Sequence, residues 1–402
     1  MEHRPFSSRA LSRACLSSSV VQRAAAPVRF CAADRFGDAM RKAGVSLGNN
    51  CPIGRKAPPR RKRPKRRIGP PMADTALYQD VICDEVTFDS ADGRSIIHAC
   101  VWRPEGLPER DGLPAPRAVV QVVHGMSEHV RRYDEFARFL CARGLVVCGD
   151  DHIGHGRSAD PSRHGCLPAR GGADALVEDE HRLRRLVGGQ VAAGTPYVFF
   201  GHSMGSYITR VYLSRHGGGL TAAVICGTGT VAVPVSAAGN LLARAICAVR
   251  GEDHRSRLLD SMGAGAFSKA APGPTGLEWL SHNEENVAAY VADPECGAMF
   301  SAGGYVTLTA LTREACSKAC AARVPHDLPL LYVSGDGDPV GNMGRGVQTA
   351  AKLAEQAGST DVTCVIYEGM RHEILNEKDH ARVFGDVWGW LDQRLGNGGG
   401  NA

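Results

Sequence analysis

Residues 197–205 read Tyr197-Val198-Phe199-Phe200-Gly201-His202-Ser203-Met204-Gly205, and a helix-like stretch from Ser206 to Arg215 follows. An apolar run, a glycine-flanked serine and a helix together describe a strand, a sharp turn and a helix with Ser203 at the apex. Neither Gly201 nor Gly205 carries a Cβ, so the bend can close tightly around a strained serine whose hydroxyl points out of the sheet. A hydroxyl presented in this way is placed to attack a carbonyl carbon. A chain with 48 glycines also produces the five-residue pattern by chance, so the partners of Ser203 decide the reading.

A serine alcohol is a poor nucleophile until a neutral imidazole takes its proton, and the imidazole needs a carboxylate to fix its tautomer. On a strand-turn-helix scaffold of this kind the partners follow in the order serine, acid, histidine. Leu328 to Val333 (LPLLYV) reads as a buried strand and runs into Ser334-Gly335-Asp336-Gly337-Asp338-Pro339. Val362 to Tyr367 (VTCVIY) reads as another, followed by Glu368-Gly369-Met370-Arg371-His372-Glu373. Both loops lie at strand carboxyl ends, where an open α/β sheet places its site. His372 is the candidate base, and Asp336 and Asp338 are rival acids.

Further strand-like runs are Glu85 to Phe88 and Ile96 to Trp102, read as an antiparallel edge hairpin, then Val119 to Val123, Leu145 to Cys148 and Ala222 to Cys226. Helical stretches at Tyr133 to Ala142, Ala173 to Val187, Gly346 to Ala357 and Asp379 to Leu395 separate them. The alternation predicts an α/β fold, a mostly parallel sheet with helices on both faces. From Thr230 to about Val324 the rhythm lapses into helical and irregular segments such as Leu241 to Val249 and Glu284 to Val291. This segment is read as an inserted helical cap that supplies apolar walls and excludes water. Leu277, Trp279, Met299, Phe300 and Tyr305 are candidate walls, but isolated apolar residues serve equally as cap core, and none is given a role.

With these motifs the chain resembles the α/β-hydrolases of the monoacylglycerol lipase and lysophospholipase type, the serine aminopeptidase-like group, from about Val81 to Leu395. The resemblance rests on the elbow, on His124-Gly125-Met126-Ser127-Glu128-His129, on Asp151-His152-Ile153-Gly154-His155-Gly156, and on Gly335-Asp336-Gly337-Asp338-Pro339-Val340-Gly341. Tyr290 to Gly297 and Arg371-His372-Glu373 also look like bacterial members. It implies Ser203 as nucleophile, His372 as base and then acid, Asp338 as the orienting carboxylate, and the amides of Met126 and Met204 as the oxyanion hole. Asp336 then reads as a turn residue of its own loop. The implied activity is cofactor-free hydrolysis of carboxylic esters of single-chain lipids, monoacylglycerols or lysophospholipids, through an acyl-enzyme. Amide or thioester hydrolysis on the same scaffold stays open, as does a non-catalytic binding role.

Ile153 departs from the pattern, since relatives mostly carry arginine there. His152 and His155 are interleaved with glycines and share no helical face, so no metal site is expected, and the loop is read as scaffold. His124, His129 and His202 are read as structural. The 402 residues, 43% hydrophobic and 22% charged, suffice for one large α/β core. The longest cap helix candidate, Ala237 to Val249, is interrupted by Asn240 and Arg244, so the chain reads as soluble and cytoplasmic. Fourteen cysteines without Cys-x-x-Cys pairs, Cys83, Cys100, Cys148, Cys226 and Cys364 among them in strand-like runs, look like small buried thiols of a reducing compartment.

Residues 1–71 hold 17 Lys+Arg against three Asp+Glu, whereas the remaining residues carry 30 against 39, so a basic tail precedes an acidic body. The tail is Arg- and Ser-rich without apolar periodicity and is read as a disordered extension. Three readings stay open: a targeting peptide, a peripheral contact with anionic membrane, or an untranslated stretch before a start at Met72, which is favoured. Nucleic acid is not expected. The organisation predicted is 1–71 tail, 72–230 hydrolase core, 231–324 cap and 325–402 the rest of the core.

Overall fold

Val119–Val123 is buried along its whole length, and a strand without a solvent face belongs to the middle of a sheet covered on both sides. A computed structural model describes residues 80–396; the expectations for residues 1–71, and the proposed start at Met72, lie outside them. Eight strands form the main sheet: β1 Val81–Asp89, β2 Ile96–Pro104, β3 Val119–Val123, β4 Val146–Asp151, β5 Tyr197–His202, β6 Ala222–Cys226, β7 Leu330–Gly335 and β8 Val362–Tyr367. Their order is β1-β2-β4-β3-β5-β6-β7-β8. The edge hairpin β1–β2 and the β2–β4 pair are antiparallel, and every other pairing is parallel. The mostly parallel α/β sheet read from the sequence is therefore present.

Ten helices are labelled: α1 Asp134–Cys141, α2 Gly172–Gly188, α3 Met204–His216, α4 Val233–Arg250, α5 Arg257–Met262, α6 Glu284–Ala292, α7 Ala302–Ala315, α8 Lys318–Ala321, α9 Arg345–Ala357 and α10 His380–Leu395. Because strand side chains alternate, adjacent residues feed opposite layers. Phe199 joins Tyr207 and Val211 of α3 and Leu176 and Leu183 of α2, whereas Phe200 joins Phe136 and Leu140 of α1 and Phe384 and Trp390 of α10. Both phenylalanines are essentially inaccessible, and truncating either to Ala costs about 3–5 kcal/mol.

The structure corrects several readings. β4 extends from Val146 through Gly149, Asp150 and Asp151, beyond the apolar run that ends at Cys148, because those residues pair with Cys100, Ala99 and His98 of β2. β7 begins at Leu330 rather than Leu328, since Pro329 has no N–H to donate, and continues through Ser334 and Gly335 opposite Ile366 and Tyr367. Cys364 is exposed on edge strand β8 and Cys83 is only half-buried, whereas Cys100, Cys148 and Cys226 are buried.

The chain between β6 and β7 contains α4 to α8 and adds no strand to the main sheet. Asn240 and Arg244 do not interrupt α4, which runs 18 residues. The Asn240 amide donates to Val306 O at 2.8 Å and to Thr309 Oγ1 at 3.0 Å on α7, and its oxygen accepts Arg244 Nε at 2.8 Å. A buried amide satisfied in this way fits a helix face. Among the described residues no helix is long and apolar enough to cross a membrane.

The order places β3 between β4 and β5, so the chain leaves β3 toward one half of the sheet and later returns to build the other. This switch point opens a crevice at the strand carboxyl ends. The loop after β3, the turn after β5 and the loops after β7 and β8 all reach it.

Candidate active site

Ser203 sits between β5 and α3 with φ 54° and ψ −119°, a conformation that L-residues adopt only when their surroundings enforce it. Its amide donates to Cys226 O at 3.0 Å, and its carbonyl accepts the Ser206 amide at 2.9 Å. A Cβ on Gly205 would overlap the carbonyl oxygens of Val123 and His124, which is why glycine stands there.

His372 follows β8, and its Nδ1 lies 3.0 Å from Asp338 Oδ1 after β7. A carboxylate accepts only, so this contact keeps the proton on Nδ1 and the lone pair on Nε2 in the neutral ring. Asp338 also accepts the Val340 amide at 2.8 Å and the Ser334 hydroxyl at 2.6 Å. Complete burial pushes its carboxyl up, but His372 and these donors outweigh that and hold it below the ordinary 3.8. Asp336 takes no part: its exposed carboxylate accepts the Gly369 amide at 2.9 Å. It therefore ties two loops together and is not confined to its own, as the sequence reading had it. Ser203 and His372 face one cavity. Among the described residues no hydrogen bond joins the Ser203 hydroxyl to the His372 ring, a contact that often tightens only with substrate bound.

In the loop after β3, the Gly125 amide donates to Glu128 Oε1 at 2.6 Å and the Ser127 amide to His155 Nε2 at 3.1 Å. The Met126 amide between them is left without a protein partner among the described residues, and Met126 and Met204 both line the cavity. A Cβ on Gly125 would sit 2.5 Å from Glu128 Oε1 and 3.0 Å from Ser203 Cβ. Only glycine lets this loop pass so close to the serine.

Sequence reasoning missed a buried ionic network behind these groups. Arg132 donates to Glu128 Oε2 at 2.8 Å, to Glu373 Oε1 at 2.7 Å and Oε2 at 2.8 Å, and to Asn286 Oδ1 of α6 at 3.1 Å. Glu128 Oε1 also accepts Tyr133 Oη at 3.0 Å and lies 3.2 Å from His202 Nδ1, while His202 Nε2 lies 3.3 Å from the carbonyl of His372. The network thus joins the β3 loop, the residue before Ser203, the residue after His372 and a helix of the insertion. Burial raises the Glu373 and Glu128 carboxyls, but Arg132 for the first, and His202 with Arg132 for the second, hold both below the ordinary 4.5. The available signal was two acids and an arginine within motif loops, which read equally well as solvated charge.

Removing the arginine strands two buried carboxylates, so Arg132→Met is expected to lose about 3–5 kcal/mol in denaturant unfolding. The same shifts set the acid limit. Carboxyls whose folded pKa is depressed contribute stability above their unfolded values, 4.5 for Glu128 and Glu373 and 3.8 for Asp338, and that contribution is lost as pH falls through the folded values. The thermal midpoint is expected to drop below about pH 4.5, and less steeply in Arg132→Met.

The cavity has a volume of about 560 Å³ and mostly apolar walls. Leu277, Trp279 and Met299 line it; Phe300 and Tyr305 do not, because Phe300 packs edge-on against His155 and Tyr305, and the Tyr305 hydroxyl bonds Asp260 at 3.0 Å. Trp279 stands 5.2 Å from the His372 ring and Phe267 5.2 Å from Trp279. Phe267 and Tyr207, both lining residues, were not anticipated.

The family described as Serine aminopeptidase, S33, matches residues 114–379. The chain belongs to that family. Like the S33 hydrolases it carries the α/β-hydrolase fold, and it is a hydrolase. It is 31% identical over 320 residues to a monoacylglycerol lipase of Mycolicibacterium smegmatis, covering 77% of this chain and 98% of the relative. It is 28% identical over 318 residues to the human monoglyceride lipase, covering 77% and 91%. Among solved structures it is similar to a thermostable carboxyl esterase from Bacillus coagulans in complex with glycerol, with a TM-score of 0.71, 29% identity, and 78% and 99% of the two chains covered.

Proposed function

We propose that this S33 hydrolase cleaves the carboxylic ester of single-chain lipids, monoacylglycerols foremost, through Ser203, His372 and Asp338. One observation carries the reading: a strained serine and an Asp-oriented histidine open onto the same apolar cavity. The names of the mycobacterial and human relatives, and the glycerol in the esterase structure, support the substrate class.

Ser203 Oγ attacks the ester carbonyl as His372 Nε2 takes its proton, and the oxyanion is received by the amides of Met126 and Met204. His372 returns the proton to the alcohol oxygen, the alcohol leaves, and an acyl-Ser203 ester remains. Water then attacks that ester with His372 again as base, and the fatty acid departs. The inserted segment, residues 231–324, acts as the cap that walls the acyl chain. Asp338 holds the ring, and Glu128 with Arg132 fixes the loops around it.

Each methylene buried is worth about 0.8 kcal/mol, so kcat/KM for p-nitrophenyl esters is expected to rise about fourfold per added CH₂ until the cavity is filled. 1-Monoacylglycerols are expected to be cleaved and aminoacyl anilides not. Faster turnover of anilides than of every ester would overturn the ester assignment in favour of an aminopeptidase.

A further inference from the structure

Asp150 at the end of β4, His152 just after it and Glu180 of α2 are each at most 1% exposed, and none of the three has a part in the hydrolysis described. His152 Nδ1 lies 3.2 Å from Asp150 Oδ1 and 3.6 Å from Glu180 Oε1. By strict hydrogen-bond geometry these three buried atoms have no partner among the described residues, although the side chains of His152 and Glu180 both approach Asp150. The other sides of His152 and Glu180 are engaged. His152 Nε2 lies 3.2 Å from the carbonyl oxygen of His124, and Gln121 Nε2 donates to Glu180 Oε2 at 2.5 Å while Tyr197 Oη donates to Gln121 Oε1 at 2.6 Å.

A carbonyl oxygen only accepts, so the His124 contact puts the ring proton on Nε2. In the neutral ring the Nδ1 lone pair then faces two carboxylate oxygens, an arrangement that is repulsive unless something positive stands between them. Two protons, one on Nδ1 and one on a carboxyl, would balance the charge. Yet neither contact meets the geometry of such a bond, since all three atoms stay unpartnered among the described residues, and the 3.6 Å separation is too long for one. Donor atoms bound to one zinc ion at about 2.0–2.1 Å in tetrahedral geometry lie about 3.4 Å apart, between the two distances observed. A metal-bound histidine also characteristically donates its other N–H to a backbone carbonyl.

We infer that Asp150, His152 and Glu180 supply three ligands of a buried site for a first-row divalent cation of the zinc class, with a water at the fourth corner. One imidazole and two carboxylates neutralise a dication and suit such an ion better than calcium or magnesium, which take more oxygen donors. The site ties β4 to α2 directly behind the oxyanion loop, because His152 stacks on His124 at 3.8 Å. Enclosed as it is, it takes up its ion as the chain folds. The glycines around His152 and His155, which spoke against a helical ligand pair, do not matter here, since the other two ligands come from a strand and from α2.

The test is refolding of the full chain from guanidinium with chelator, or with Zn²⁺ followed by native chelation and desalting, reading bound zinc by elemental analysis and the thermal midpoint. About one zinc per chain is expected to survive native chelation, and the metal-free protein to melt about 5–10 °C lower. Glu180→Gln keeps the shape and the Gln121 contact; it is expected to hold less than about a tenth of an equivalent and to melt alike with and without zinc. Wild-type protein without zinc that melts at the same temperature overturns the site and leaves a cluster held by protons, in which Glu180→Gln is neutral or stabilising. Zinc retained by Glu180→Gln also overturns it, assigning the ion elsewhere, for instance to the more open group His129, Asp293 and Cys296.

Discussion

Ser203→Ala is expected to lower kcat for p-nitrophenyl butyrate by about four to six orders of magnitude while leaving the unfolding midpoint nearly unchanged. The substitution removes one oxygen. It keeps the Cβ at φ 54° and the backbone bonds to Cys226 and Ser206 that hold the turn, so the strain of the elbow is the same in both proteins. Without Oγ no acyl-enzyme forms, and only the oxyanion donors and the cavity remain to assist direct attack by water. KM should change little, because the apolar walls do the binding. A variant that keeps more than about a tenth of the activity would mean that a different group carries the acyl chain.

Asp338→Asn is expected to reduce kcat by about 10⁴-fold, and Asp336→Asn by less than about threefold. At position 338 the amide retains shape but meets the wrong partners. With its NH₂ at the Oδ1 position it meets the Val340 amide, a donor, and donates to His372 Nδ1, which forces the ring proton onto Nε2; with its NH₂ at the Oδ2 position the amide oxygen still accepts from His372 and the Ser334 hydroxyl turns to accept. In the first orientation the lone pair that should take the Ser203 proton is lost, and in the second the neutral amide no longer stabilises the imidazolium that forms. Position 336 is exposed and holds only the Gly369 amide, which an asparagine oxygen can also accept. Steady-state kinetics of the two variants separates rival acids that lie two residues apart. Equal losses in both would put the assignment of the carboxylate in error.

What the sequence made legible follows from short range. Tyr197 to Gly205 specifies strand, turn and helix by its own apolar run and glycines, and the loops after β7 and β8 announce themselves because an apolar strand ends in a polar, glycine-rich segment. The order of β4 and β3 in the sheet was not legible from such runs. Nor was the extension of β4 through Asp150 and Asp151, which depends on pairing with β2. The network of Glu128, Arg132 and Glu373 is the clearest case: Arg132 and Glu373 are 241 residues apart, each sits in a polar stretch, and only the fold removes them from water. Asn240 misled for the same reason, since a polar residue in an apolar helix looks like an interruption until its partners on α7 are known. Cys364 looked buried because β8 is apolar, yet β8 is the sheet edge and Cys364 is exposed there.

The central claim, a serine made nucleophilic by a histidine across one cavity, is tested most directly by reaction with a fluorophosphonate followed by peptide mass mapping. The account predicts a single adduct, on Ser203, that forms rapidly in the wild type, is absent from Ser203→Ala, and forms at least about a thousandfold more slowly in His372→Ala. An adduct on another residue, or equal labelling rates with and without His372, would contradict it.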